Sequence, residues 1–357
     1  MSPSAKNDNF LVVFGDSYSS VGNRMGQPKF LANWNTRFSN GPVWNEYLAH
    51  DEGFTLINFE VGGSATNSSF IESQTGFNNP FTDLLSQVAM YRNTFSGKLS
   101  ASSLQNDVAV IETGSNDIFF TYEKVFSGSV DLEKYSDETV SSIISALESL
   151  IEFGYKKLVV FDTPFLSIMP VFGHLDEKAI NDLDSYVQMT NKKLVTATAS
   201  LEARYSDKIN YIRTVSLYNI YKTMSTMDLK RSLNIIGLYD KSMPMGDDII
   251  YSERDDSDNY MFIDVAHPST RVHALLSSVF LETLADGNIN INRNILERLS
   301  NEFDLTKVSS QNNYLYNSTS IETGDIIVEE YTMETTKLNI ESLLARKNSM
   351  VPGSGRK

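Results

Sequence analysis

The chain contains no cysteine. A disulfide framework, a thiolate metal site and a cysteine nucleophile are therefore excluded. Histidine is scarce, with four in 357 residues, so imidazole chemistry falls to His50, His174, His267 or His273. Long apolar runs are missing as well. None approaches the ~20 residues that a membrane span needs, and no integral membrane segment is expected. Positive charge is in deficit, with 30 Lys and Arg against 45 Asp and Glu and a net charge of −15. That balance disfavours nucleic acid and anionic membrane surfaces as partners. The start, MSPSAKNDNFLVV, lacks a charged region followed by a long apolar one. The expected location is cytoplasmic by default, the alternative being a secreted form whose leader has been removed.

What is present is an ordinary globular composition, 41% apolar and 21% charged, too apolar for wholesale disorder. Short apolar runs at 10–15, 55–61, 107–114, 156–163 and 208–214 read as buried strands. Stretches 136–153, 176–205 and 268–285 carry apolar residues at helical spacing, the last opened by a proline in its first turn. Strands alternating with helices predict a parallel sheet covered on both faces, an α/β/α sandwich with a central, mainly parallel sheet. Ligands bind such sheets at the carboxyl ends of the strands. Residues 227–262 interrupt the alternation with an acidic, loop-like excursion. From 286 onward the pattern changes: INRNILERLSNEF suggests a short helix, DIIVEEYTM an extended segment and TKLNIESLLARK another helix. The expected organisation is a domain over 1–285 followed by a C-terminal extension, 286–357, packed on it and ending flexibly in VPGSGRK.

Polar residues that could do chemistry follow the apolar runs. Ser17 stands two residues after the first run, behind Gly15 and Asp16, whereas Ser19 and Ser20 read as caps of a following helix. NFEVGGSATN ends the second run with Gly62 and Gly63, whose backbone N–H groups can approach a ligand closely. ETGSND ends the third with Asn116, a neutral amide donor suited to a developing oxyanion. DVAHPS places Asp264 three residues before His267, close enough to orient the ring. Taken singly, each is more often a turn, a cap or a packed side chain. Together they supply a hydroxyl, a base with its carboxylate, and donors, all at one edge of one sheet.

In these four ordered blocks, Gly15-Asp16-Ser17-Tyr18, Asn58 to Gly63, Gly114-Ser115-Asn116-Asp117 and Asp264 to Pro268, the chain resembles the GDSL or SGNH family of serine hydrolases. Tyr18 stands where the family name implies leucine. SNGPVWNEYLA and EVGGSATN further resemble the fungal acetylesterase branch, whose members include enzymes that deacetylate carbohydrates. The resemblance covers about residues 10–285. It implies a flavodoxin-like three-layer fold, Ser17 as nucleophile, His267 as general base and then acid, and Asp264 as its orienter. The oxyanion hole would be the N–H groups of Ser17 and Gly63 with the amide of Asn116, Gly63 being five residues after Asn58. Asp16 would brace the turn. The implied substrate is a small-molecule or carbohydrate ester, acetyl esters first, with a lipase or phospholipase of the same family, or a silent binding protein on the same fold, as alternatives. No metal or organic cofactor is required. Trp34, in a polar loop beside the first block, is the candidate substrate contact, and Trp44 reads as core.

Overall fold

The computed structural model describes residues 7–23, 34–239, 256–316 and 325–349. Six strands form one sheet: β1 (Phe10–Gly15), β2 (Thr55–Asn58), β3 (Val108–Glu112), β4 (Lys157–Phe161), β5 (Tyr211–Val215) and β6 (Glu330–Tyr331). Their order is β5-β4-β3-β1-β2-β6, and every neighbouring pair is parallel. Runs such as FLVVF have no polar alternation because both faces of a parallel strand are covered. The period of two shows instead in where the side chains go. Leu11, Val13, Val108, Val110, Val159 and Phe161 enter one core, while Phe10, Val12, Phe14, Ala109, Ile111, Leu158 and Val160 enter the other.

The first core is closed by helices Trp44–Glu52, Leu217–Met224 and Thr270–Asp286, the second by Leu84–Phe95 and Leu132–Phe153. Two long helices begin where an aspartate accepts from the N–H three residues on. These caps are Asp131 with Lys134 at 3.1 Å and Asp176 with Ala179 at 2.8 Å. The result is the three-layer α/β/α sandwich. Because connections leave β1 toward β2 on one side and β3 on the other, the sheet has its switch point between β1 and β3, where a crevice opens at the strand ends.

β6 arises from DIIVEEYTM and adds to the sheet's free edge, pairing Leu56 with Glu330 and Ile57 with Tyr331. Arg37 fixes it, reaching Glu46 Oε1 and Glu330 Oε1 at 2.5 Å each. Asn23 accepts from the Met333 N–H at 2.7 Å, and Lys347 pairs with buried Asp107. Arg37 and Glu46 are both buried, so removing one partner strands a charge. Arg37→Met is expected to cost about 3–5 kcal/mol, read as a lowered urea midpoint. An unchanged midpoint would mean that the pair contributes nothing net.

Residues 240–255 of the acidic excursion lie outside the described residues, as does the VPGSGRK end, while its described start carries the short helix Leu229–Leu233. No helix among the described residues is long and apolar enough to cross a membrane.

Candidate active site

β1 ends at Gly15, whose φ is +151° and where an added Cβ would stand 1.6 Å from the carbonyl oxygen of Glu112. Glycine alone lets the ends of β1 and β3 come this close. The buried side chain of Gln87 then staples the backbone, accepting from the Gly15 N–H and donating to the Gly15 carbonyl, both at 2.8 Å. Asp16 accepts from the Tyr18 N–H at 3.2 Å, an Asx-type turn that brings Ser17 out at the strand end.

The second element of the site is a tight loop just before helix Thr270–Asp286. It is closed by Ile263 N–H to the His267 carbonyl and Ser269 N–H to the Met261 carbonyl, each 2.8 Å. Pro268 therefore precedes the Ser269 cap rather than occupying the first helical turn as expected, because its neighbours are held in this loop. Asp264 Oδ1 accepts from the N–H groups of Ala266 and His267 at 2.8 and 2.7 Å. The same carboxyl lies 3.0 Å (Oδ1) and 2.8 Å (Oδ2) from His267 Nδ1. On the far side of the ring, Nε2 is 2.8 Å from Ser17 Oγ. Carboxylate, imidazole and hydroxyl thus stand in line, an arrangement able to draw the hydroxyl proton onto the ring. Tyr18 links the two turns, its hydroxyl donating to the Ala266 carbonyl at 2.8 Å. Phe38 lies over the imidazole with ring centroids 4.9 Å apart.

Gly63 and Asn116 complete the rim. Gly63 has φ +81°, and a Cβ there would run into the Phe81 ring at 2.2 Å. Its carbonyl is held by Asn79 Nδ2 at 3.1 Å. Asn116 opens the short helix Asn116–Phe119 and donates one amide hydrogen to the Ser64 carbonyl at 2.9 Å, which fixes its plane. Asp117 ties the two loops by accepting from the Thr66 N–H at 3.0 Å and from the Thr66 hydroxyl. Burial raises its carboxyl to about 6.

Ser17, Gly62, Gly63, Asn116 and His267 line one cavity of about 260 Å³. Its remaining wall is mostly apolar, contributed by Tyr18, Phe38, Phe81, Phe119, Phe120 and Met169. The strand-end motifs do not announce these residues, although Phe119 and Phe120 directly follow the Asn116 block. Trp34 is not brought to the cavity. It packs on Tyr316 at 5.5 Å and under the Arg37 guanidinium at 5.5 Å, because Arg37 folds the loop back through paired backbone bonds. Ser19 is no helix cap either. Its hydroxyl donates to Glu112 Oε2 at 2.9 Å and accepts from Trp44 Nε1 at 2.7 Å. The other histidines lie elsewhere: His50 against Asp51, His174 on the Val171 carbonyl, and His273 fully buried, its ring pushed down to about 3 by desolvation. Trp44 is core, as expected. Among the described residues no group of three or more His, Asp and Glu could hold a metal ion.

Known proteins resemble this chain in sequence. The family model described as GDSL-like Lipase/Acylhydrolase matches residues 11–280. The Thermolabile hemolysin of Vibrio parahaemolyticus is 23% identical over 77% of this chain, which spans 63% of the hemolysin. The GDSL esterase/lipase APG of Arabidopsis thaliana is 21% identical over 76% of this chain and 89% of its own length. The Acetylesterase of Hypocrea jecorina is 20% identical over 77% and 88%. Among solved structures, LAE5 from the Lake Arreo metagenome covers 80% of this chain and 99% of its own, with 13% identity and a TM-score of 0.42. With the family model matched over more than half of its length and the four blocks gathered at one sheet edge, this chain belongs to the GDSL-like lipase/acylhydrolase family of carboxylic-ester hydrolases.

Proposed function

We propose that the chain hydrolyses carboxylic esters with an apolar acyl group longer than acetyl, through an acyl-enzyme on Ser17. The observation that carries this reading is the line from Ser17 Oγ through His267 to Asp264, opening into a cavity with an aromatic wall. His267 takes the Ser17 proton as Oγ attacks the carbonyl carbon, and Asp264 stabilises the imidazolium. The N–H groups of Ser17 and Gly63 and the second amide hydrogen of Asn116 hold the tetrahedral oxyanion. The proton passes to the leaving alcohol, and water, deprotonated by His267, releases the acid.

The resemblance to acetylesterases favours an acetyl group, whereas the lining favours a longer chain. Each buried CH₂ contributes about 0.8 kcal/mol, or about fourfold in kcat/KM if the burial is realised in the transition state. Butyryl esters, with two more CH₂ groups, should therefore exceed acetyl esters by about fifteenfold. The test is kcat/KM across acetyl, butyryl and octanoyl nitrophenyl esters beside an acetylated oligosaccharide. A maximum at acetyl, or a clear preference for the saccharide, would return the assignment to a carbohydrate deacetylase.

A further inference from the structure

Behind the nucleophile turn lie three carboxyl groups that the mechanism above does not use. Asp16, Glu60 and Glu112 follow or end β1, β2 and β3, and none is more than 2% exposed. Neutral groups hold them together. Ser19 donates to Glu112 at 2.9 Å, Asn58 to Glu60 at 2.7 Å, Asn45 to the same Glu60 oxygen at 3.3 Å, and the Tyr18 N–H to Asp16 at 3.2 Å. Among the described residues no lysine or arginine pairs with any of the three. The other ionisable neighbours are Tyr18, Tyr221, Asp117 and His267. Only the last can bring a positive charge.

Three carboxylates buried behind one turn cannot all ionise, since desolvation and mutual repulsion both favour the proton. Burial and then the Glu60 charge raise Glu112 to about 8, while burial and the Glu112 charge hold Asp16 well above its ordinary range. The protons belong to the set rather than to one member. Asp16 is covalently next to Ser17, and Glu112 is its register neighbour at the end of β3 through Gly15. Charge placed on Glu112 therefore pushes on the turn that keeps Ser17 in line with His267.

We propose that Asp16, Glu60 and Glu112 form a proton-sharing group that positions Ser17, with Glu112 the member whose loss of a proton disengages the nucleophile at alkaline pH. Glu112 is thus a positioning residue, and the proposal rests on Ser17 being the nucleophile. Its linkage has a definite sign. The folded state binds the Glu112 proton more tightly than the unfolded chain, which titrates near 4.5. The stability it contributes is present below that value and is lost as pH rises through about 8.

The test is the rate of fluorophosphonate labelling of Ser17 against pH, on the full chain, with near-UV circular dichroism followed alongside. The parent should lose reactivity above about pH 8 while its near-UV signal persists. Glu112→Gln, neutral at every pH and able to keep the Ser19 bond, should lose the alkaline fall. Glu60→Gln removes a like charge that raises Glu112, so it should move that fall downward by about one pH unit, and it carries the test if Glu112→Gln does not fold. An alkaline fall in both variants coincident with the parent's would overturn the proposal, as would a fall that tracks loss of the near-UV signal. A parent that is never labelled while it hydrolyses esters would instead overturn the assignment of Ser17.

Discussion

Ser17→Ala is expected to lower kcat on p-nitrophenyl butyrate by about 10⁴–10⁶ and to leave the fold intact. The size of the loss follows from what the residue does and from what cannot replace it. Ser17 Oγ is the hydroxyl placed 2.8 Å from His267 Nε2. Ser19 is buried and already engaged with Glu112 and Trp44. Ser115 lines the cavity, but its hydroxyl makes no bond to the imidazole, so it inherits no base. The remaining rate would come from binding and oxyanion donors acting on water. Folding should be little affected, because the side chain is small and the lost hydrogen bond is worth about 1 kcal/mol. Turnover, fluorophosphonate labelling and the urea midpoint together check this. Hydrolysis or labelling at the parent rate would remove Ser17 from the mechanism, whereas a collapsed midpoint would make the activity loss uninformative.

The parts of this molecule that the sequence made legible share one property: they are local. β1, β3 and β4 stand out because strands buried on both faces must be runs of apolar residues. The chemistry stands out because a parallel sheet gathers whatever follows its strands at one edge, which is how Ser17, Gly63 and Asn116 are found in order; the Asp264–His267 pair follows no strand and is brought there by the loop before helix Thr270–Asp286. The parts that were not legible depend on partners far along the chain. Ser19 looks like a cap until the register of Gly15 against Glu112 brings a carboxyl from 93 residues away onto its hydroxyl. Trp34 looks free in a polar loop, yet Tyr316 and Arg37 take its faces. The apolar run predicts a second strand to 61, but it ends at Asn58, whose side chain turns back to hold Glu60 and the Ser19 carbonyl. β6 is only two residues long. No local pattern places it beside β2; its anchor is Arg37, 293 residues away.

Asp264→Asn should be nearly as damaging as losing the nucleophile, about 10⁴-fold in kcat, the scale reported for the equivalent change in a Ser-His-Asp protease. The reason lies in the hydrogen bonds of the carboxyl. Asp264 Oδ1 accepts from the N–H groups of Ala266 and His267, and these two bonds shape the loop. An asparagine can keep them only by placing its carbonyl oxygen at that position. Its NH₂ group then occupies the place of Oδ2, facing His267 Nδ1 at about 2.8 Å. A donor there demands an unprotonated Nδ1, so the neutral ring must carry its hydrogen on Nε2. That hydrogen points at Ser17, and the imidazole can no longer accept the serine proton. The loop and the midpoint should survive while the base is held in the wrong tautomer. Asp264→Ala would confound this by removing the acceptor for two backbone N–H groups as well. Asparagine is therefore the informative substitution. Proton NMR of the His267 ring in the variant should report the hydrogen on Nε2. Retained turnover with that tautomer would show that His267 does not act as the base.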